Sequence, residues 1–541
     1  MKTTMNTIYV MLASLALVWF ALSPTAKALL PPPAPDGGYP GANTAEGDGA
    51  LHDLTTGINN TAIGASALTN DTSGSYNVAV GSGALQNNTT GFQNMAVGTQ
   101  ALANSNGNFN MAIGFRTLFM NTGSRNSGVG AAALRNNTTA SDNTAIGSTA
   151  MRENTTGESN TAIGSAALME NKNGGNNTAV GFGALMENIT GSNNTANGAF
   201  ALNFNTVGFA NTAQGRSALE HNTNGSFNTA IGGDALETNT EGNDNTASGA
   251  FALQVNLTGL ENTAIGAEAL SSNINGDHNT ATGFRALLGN TASDNTACGY
   301  QALLSNSGGS SNTAVGRSAL TANVGGVQNT AVGVAALSSM QMGNFNTAIG
   351  GAAGFDVTTA SNVICIGSPG SNVNNSCFIG NIRGIQTHNA DAINVVIDSN
   401  GQLGTLSSSR RFKHDIQAMD EASEAILALK PVRFHYKTDT TNTPQFGLIA
   451  EEVAKINPDL VVREKNGEIY TVRYDAVNAM LLNEFLKEHR AFLEEKRKVQ
   501  ELEANAAGQQ KQIEALTAGL QKVSAQLELS KSAPQTVLND Q

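Results

Sequence analysis

A five-residue motif, Asn-Thr-Ala-h-Gly with h usually isoleucine or valine, recurs through most of this chain. Its asparagine stands at 18 positions spaced by 16 or 17 residues: 60, 77, 94, 110, 126, 143, 160, 177, 194, 211, 228, 245, 262, 279, 295, 312, 329 and 346. The full repeat reads N-T-A-h-G-x-x-A-L-x-x-N-x-x-G-x-x. A fixed short period indicates stacked coils that bury their apolar faces only against one another. The chain is therefore predicted to be mainly β, with a parallel β-solenoid or β-roll over residues 56–380.

The repeat also predicts which side chains face inward. The third position is alanine in all repeats but one and the ninth is almost always leucine, whereas the fourth is polar in four repeats, at Asn197, Gln214, Ser248 and Thr282. Because buried unpaired polar groups are costly, the second and fourth positions are predicted to face outward. The alanine, the fifth-position glycine and the leucine then line a thin core. An outward row of isoleucine and valine needs a cover, which favours side-by-side chains.

Other repeat positions predict local structure. Asparagines at the first and twelfth positions, such as Asn154 and Asn171, are expected to form amide ladders along the array. The glycine at the fifteenth position is expected to support a bend with positive φ. A row of second-position threonines runs unbroken from Thr144 through Thr347. Such a row can bind ice or carbohydrate, but threonine is also a favoured residue on exposed strands.

The N-terminus has the pattern of an export signal. Lys2 precedes an uncharged apolar run, Ile8 to Leu22, and Ala26-Lys27-Ala28 has the form of a cleavage site. Residues 1–28 are predicted to be a signal peptide, with an uncleaved anchor as the alternative, and residues 29–55 a Pro/Gly-rich spacer. We therefore expect a secreted or cell-surface protein with no membrane span after signal removal.

Charge and cysteine content narrow the function further. The formal net charge is −13 and no basic patch is present, so nucleic acid is not an expected partner. The three cysteines, Cys298, Cys365 and Cys377, are too few and too widely spaced for a disulfide framework or a zinc site. A Cys365–Cys377 pair remains an alternative. No metal site and no cofactor are predicted.

Composition changes sharply after residue 406. Residues 1–406 carry 33 charged side chains, whereas the last 135 residues carry 38. Residues 381–406 are predicted to form connecting strands, residues 407–476 a small α+β domain, residues 477–530 a coiled-coil helix and residues 531–541 a polar tail. Apolar residues recur every seven positions along that helix, at Phe485, Phe492, Val499, Ala506, Ile513, Leu520 and Leu527. Such a seam requires partner helices, so the sequence implies an oligomer.

The compositional border contains Ser407-Ser408-Ser409-Arg410-Arg411-Phe412-Lys413. A serine five residues before a lysine at such a border suggests a self-cleavage site. A hydroxyl nucleophile needs a base, and lysine serves as one when burial or neighbouring cations keep it neutral. Arg410 and Arg411 are such cations. The alternative is a solvated basic loop in a domain that does not cut.

Five ordered motifs make the C-terminal region resemble the intramolecular chaperone domain of phage endosialidases and other tail spikes, a module that also occurs in myelin regulatory factors. They are SSRRFKHDI (408–416), LKPVRFHY (429–436), FGLIAEEV (446–453), NPDLVV (457–462) and VRYDAV (472–477). The resemblance implies a homotrimer that templates folding of an upstream β-rich fibre and then cuts itself. It places the nucleophile at Ser408, the base at Lys413 and the broken bond between Ser407 and Ser408. The family's aspartate after the nucleophile is replaced by Ser409.

The repeat array resembles the heads of trimeric autotransporter adhesins, which are left-handed parallel β-rolls, over about residues 56–367. Together the two resemblances predict an exported, trimeric, adhesin-like fibre whose chaperone domain drives assembly and then self-cleaves as an autocatalytic serine endopeptidase. A surface or a glycan is a possible ligand of the fibre. The alternative is an uncleaved structural or adhesive fibre with a permanent trimerisation domain. An enzyme acting on polysaccharide is not expected, because the acids Glu153, Glu170 and Glu187 lie at outer turn positions.

Overall fold

The computed structural model describes residues 39–388, 391–398 and 400–530. The predicted signal peptide and polar tail lie outside these residues, as does the first part of the predicted spacer. The chain divides into two compact units between Ile385 and Gln386.

The first unit is a parallel β-solenoid of about 20 turns, as predicted. Each array strand pairs in parallel and in register with the next along the chain, so that Thr161 lies opposite Thr178 and Ala162 opposite Ala179. The array strands are Thr44–Glu46, Thr61–Ile63, Val78–Val80, Met95–Val97, Met111–Ile113, Ser127–Val129, Thr144–Ile146, Thr161–Ile163, Thr178–Val180, Thr195–Asn197, Thr212–Gln214, Thr229–Ile231, Thr246–Ser248, Thr263–Ile265, Thr280–Thr282, Thr296–Cys298, Thr313–Val315, Thr330–Val332, Thr347–Ile349, Val363–Ile366 and Ser376–Ile379.

The sheet begins earlier than residue 56. Strand Thr44–Glu46 pairs in register with Thr61–Ile63, inside the segment that the sequence assigned to the spacer. The reason is visible in the residues, since Asn43-Thr44-Ala45 has the same head as the later repeats. Its fourth position is Glu46, and this charged residue hides the repeat from a search for apolar residues.

The core is as thin as predicted, although its composition differs. In a typical coil, Ala162, Ala167 and Leu168 are fully buried, whereas Ile163 is 41% exposed. The outward orientation of the fourth position is therefore confirmed. Alanine at the eighth position is a core residue that the sequence analysis missed. The fifth-position glycine, such as Gly164, is only half-buried, so its assignment to the core was wrong.

Close packing between coils explains why the fifth position is glycine. Gly164 has a φ of +138°, and a Cβ atom there would lie 2.3 Å from the carbonyl oxygen of Gly181 in the next coil. Any side chain would therefore push two coils apart. Glycine is selected here by backbone conformation and by approach of the neighbouring backbone.

The positive-φ bend of the coil is not at the glycine where the sequence placed it. The fifteenth-position glycine Gly174 is not in the left-handed region, so its predicted positive φ was wrong; a Cβ there would instead lie 2.2 Å from the Gly191 oxygen. The left-handed positions are non-glycine residues, including Ala166 at φ +58° and Leu168 at φ +52°. Such conformations persist where surrounding contacts over-determine the backbone.

Both predicted asparagine ladders are confirmed. At the first position, Asn177 N donates to Asn160 Oδ1 at 2.9 Å. At the twelfth, Asn171 Nδ2 donates to Asn154 Oδ1 at 2.7 Å and to Gly174 O at 2.9 Å. Because these amides are fully buried, each unmade bond would cost about 1–3 kcal/mol. The ladders therefore hold successive coils in one register.

The cysteines of the array do not pair. Cys365 and Cys377 lie on the last two array strands, where Cys365 is opposite Phe378 and Cys377 is opposite Ile364. Because side chains alternate along a strand, Cys365 points into the core and Cys377 is exposed. Both are free thiols, as is Cys298, which is also exposed.

The second unit contains a small domain and one long helix. Antiparallel pairs join Val396–Ile397 to Leu403–Gly404, Val432–Phe434 to Gln445–Gly447, and Val461–Arg463 to Ile469–Val472. Three 3-10 helices cover Arg410–Phe412, Asp420–Ala428 and Pro458–Leu460, and the α-helices are Ala450–Ile456 and Tyr474–Leu529. The amphipathic pattern of residues 420–429 predicts a helix, and this segment forms the 3-10 helix Asp420–Ala428.

The small domain has one apolar cluster. Val453, Leu460, Val461, Val472 and Met480 are its buried members, and Met480 belongs to the helix Tyr474–Leu529, hereafter the long helix. The first turns of the long helix are therefore part of the domain core. The rest of its predicted seam is exposed, with Phe492 at 61% and Leu520 at 74%. A coiled coil needs partner helices and stays a prediction.

The twelfth-position ladder starts with an acid, and this generates a pH prediction. Asp71 is buried, its Oδ1 accepts from Gly74 N at 2.9 Å and from Asn88 Nδ2 at 3.2 Å, and its Oδ2 has no partner among the described residues. Burial raises the pKa of Asp71 from 3.8 to about 6, against the lowering effect of the bonds from Gly74 and Asn88. The native state thus binds this proton more tightly than the unfolded state, so stability falls as pH rises from about 4 to about 6.

We expect Asp71→Asn to stabilise the array above pH 6, by at most about 3 kcal/mol, because the neutral amide needs no proton to be buried. Thermal unfolding of the wild type should show a loss of stability between about pH 4 and about pH 6 that the variant lacks. Glu241→Gln, which changes an exposed acid of the same array, is the matched control. Equal pH dependence in Asp71→Asn and wild type would contradict this prediction.

Candidate functional site

The border segment Ser407–Lys413 turns through a short 3-10 helix, Arg410–Phe412. Ser409 precedes the helix in an extended conformation, and its N–H donates to Ser407 Oγ at 3.2 Å. Lys413 N donates to Arg410 O at 3.1 Å. The turn brings the two ends of the segment closer than an extended chain would.

Within the described residues, no hydrogen bond joins the Ser408 hydroxyl to the Lys413 amine. Both residues are exposed, as is every residue from 405 to 418. A single chain therefore presents the two predicted site residues on one short turn without bringing their reactive atoms together. In the described part of the chain, Ser407 and Ser408, which the predicted scissile bond joins, are both exposed.

The charged neighbours of the turn make local contacts. The Arg411 guanidinium lies over the Phe412 ring, with its carbon 4.7 Å from the ring centroid. His414 Nδ1 lies 2.8 Å from Asp415 Oδ2. These contacts are between adjacent residues, so they do not tie the turn to the rest of the domain.

A buried polar cluster lies around Asp420, seven positions after Lys413. Ser423, on the 3-10 helix Asp420–Ala428, is fully buried, and its hydroxyl donates to Asp420 O at 3.1 Å. On the long helix, Asn483 Nδ2 donates to Ser423 Oγ at 2.7 Å and to Asp420 O at 3.2 Å. The Ser423 hydroxyl also contacts the carboxylate of Glu484, which is only 9% exposed.

Charge reinforces this cluster. Lys487 Nζ donates to Glu484 Oε1 at 2.7 Å, one turn further along the long helix. The bond from Lys487, followed by that from Ser423, lowers the pKa of Glu484, and the carboxylate in turn raises the pKa of Lys487. The cluster thus holds an ionised carboxylate beside a buried hydroxyl.

The sequence analysis missed this cluster because its members are 60 residues apart. Asn483 and Glu484 lie just before Phe485 and just after Leu481, an apolar residue at the alternate seam position four residues before Phe485. Polar residues between two seam positions suggest an ordinary solvated helix face. One usable signal was Ser423, a polar residue inside the amphipathic segment 420–429.

Two kinds of feature are absent from residues 39–388, 391–398 and 400–530, namely groups of metal-ligating side chains and membrane-spanning helices. No group of three or more His, Cys, Asp or Glu side chains there is arranged to hold a metal ion. No helix in the same ranges has the length and apolar character needed to span a membrane.

Comparison with protein-family models identifies the C-terminal domain. Residues 408–462 match a peptidase family described as "Chaperone of endosialidase". No curated protein and no solved structure matches the chain significantly. The match begins at Ser408, directly after the predicted scissile bond. Residues 408–462 are thus similar to the chaperone-of-endosialidase family, and they are preceded in the same chain by a parallel β-solenoid.

Proposed function

We propose that this protein is an exported, trimeric, adhesin-like fibre whose C-terminal domain assembles the trimer and then cuts the Ser407–Ser408 bond. The observation that carries the proposal is the family match that begins at Ser408, with Lys413 five residues later. Residues 29–407 would be the working fibre, and residues 408–541 the disposable chaperone. A surface or glycan is its proposed ligand class.

The cleavage chemistry balances with water as the only co-reactant. Ser408 Oγ attacks the carbonyl carbon of Ser407 and transfers its proton to a neutral Lys413 amine. The carbon–nitrogen bond then breaks, the Ser408 amine takes up the proton, and an ester joins the Ser407 acyl group to Ser408 Oγ. Hydrolysis of the ester releases a new carboxylate at Ser407 and restores the hydroxyl.

The exposure of this turn in the single chain favours a reaction that waits for assembly. A lysine accepts a proton only in its neutral form, which burial and nearby cations favour. Packing of partner chains over Lys413, beside Arg410 and Arg411, would supply both conditions. Cleavage would then follow trimer formation, which is the order that a folding template requires.

Two exposed apolar surfaces support the trimer. One is the seam of the long helix. The other is the row of fourth-position isoleucines and valines on the outer face of the array strands, which polar residues interrupt at Asn197, Gln214, Ser248 and Thr282. Contiguous exposed apolar surface is typical of interaction sites. Side-by-side chains would cover both.

We expect mass spectrometry of the secreted wild type to find a fragment that begins at Ser408. Ser408→Ala removes the nucleophile and Lys413→Ala removes the base, so each variant should remain intact. Lys430→Ala, which removes another exposed lysine of the same domain, should cleave like the wild type. An intact wild-type chain would favour the alternative, a fibre with a permanent trimerisation domain.

The seam gives a separate prediction. Phe492→Asp combined with Val499→Asp should convert the trimer to monomer, because buried unpaired carboxylates oppose helix association. Light scattering on the full chain measures the change. Arg497→Asp places the same charge on the opposite side of the helix and should leave the trimer intact. A wild-type chain that scatters as a monomer would rule out the trimer.

A further inference from the structure

The border segment Ser407–Lys413, hereafter the cleavage turn, makes no contact with the domain core among the described residues. From residue 405 to residue 418 every side chain is exposed, and the contacts of the turn are local. The first residue after Lys413 that packs on the domain core is Met419, and Asp420 follows it. The position of the lysine base therefore depends on how the chain is held at Asp420.

The long helix holds Asp420. The Asp420 carbonyl oxygen accepts one hydrogen bond from Asn483 Nδ2 of the long helix and another from Ser423 Oγ of the 3-10 helix. Asp420 itself has a φ of +37°, a left-handed conformation that is unfavourable for a non-glycine residue. Such strain persists only when several contacts impose it. The direction in which the chain leaves toward Lys413 is thus imposed by Ser423 and Asn483.

The chain segment that joins Lys413 to Asp420 is short. Asp420 stands seven positions after Lys413, so the two lie within about 25 Å even in an extended chain. Asn483 is flanked on the long helix by Leu481 and Phe485, seam residues that are 57% and 60% exposed. Partner helices that pack against these two residues would therefore approach the cleavage turn.

We propose that Ser423, Asn483 and Glu484 form a junction anchor that positions the cleavage turn relative to the assembled helices. They are positioning residues, since none of them touches the scissile bond. The anchor links association of the seam to placement of Lys413. This inference rests on the proposed self-cleavage, and it adds the residues through which assembly would control it.

The polar composition of the junction anchor indicates that it does more than hold the 3-10 helix against the long helix. Apolar residues of similar volume hold a 3-10 helix on an α-helix at least as well as a buried hydroxyl–carboxylate pair, because burying charge is costly. Polar clusters instead define one geometry, since their hydrogen bonds are directional. Defined placement of a reactive turn requires that property.

The test follows full-length chains during cell-free synthesis and measures the first-order cleavage rate inside isolated trimers. Ser423→Ala and Asn483→Ala should form trimers in normal yield yet cleave about ten- to a hundredfold more slowly than the wild type, because a misplaced base reacts slowly. Asn483→Gln keeps the amide donor and should restore most of the rate. Glu424→Gln removes only the outer 3.5 Å ion pair with Lys487 and should change nothing.

Three results would each overturn the anchor while the proposed function survives. Trimers of both alanine variants could cleave at the wild-type rate. The loss of cleavage could equal the loss of trimer, which would indicate a structural role alone. Asn483→Gln could be as slow as Asn483→Ala, which would show that the amide donor is irrelevant. An uncut wild-type chain would instead overturn the proposed self-cleavage and the anchor together.

Discussion

Hydrogen bonding between successive coils is the interaction on which the array depends. The core holds only small alanines and one leucine per coil, so apolar burial leaves little room to specify how coils stack. Buried asparagines at the first and twelfth positions supply that specification. The twelfth-position amide bonds the same amide in the neighbouring coil, and the first-position amide bonds backbone groups of the next coil. The arrangement has a cost in folding. Nearly identical coils offer nearly identical partners, so chains that associate side by side are poorly protected against slipped registers.

That weakness gives a C-terminal chaperone its physical purpose. The second unit differs from the array in composition. It is richer in charged residues, and its described residues form one small apolar cluster. Its long helix contributes Met480 to this cluster and exposes a seven-residue seam beyond it. In the proposed function, three such seams associate and align the three chains in one register before the coils of the array stack. The template becomes dispensable once the coils are stacked, which is why a cleavable bond at its first residue makes sense.

Much of this architecture was predictable from residues alone. The repeat period predicted the solenoid, the polar substitutions at Asn197 and Thr282 predicted the outward fourth position, and the spacing of asparagines predicted the ladders. The errors concern residues whose role depends on a neighbouring coil. Gly164 and Gly174 are glycines because another backbone passes within van der Waals distance, and no local pattern reports such an approach. Ala167 was missed because a single methyl group distinguishes a core position from an exposed one only weakly.

The candidate site divides in the same way. Local spacing drew attention to Ser408 and Lys413 at the compositional border, and the family resemblance implied their roles as nucleophile and base, which stay predictions. Their surroundings were not predictable, because Ser423 meets Asn483 and Glu484 only when the 3-10 helix packs on the long helix, 60 residues away along the chain. The sequence by itself thus determined the repeating fold and the compositional border, both of which follow from short-range pattern, while the reactive roles of Ser408 and Lys413 stay predictions. Tertiary structure alone decided which polar groups are buried around the Asp420 carbonyl, because such contacts depend on packing between distant segments.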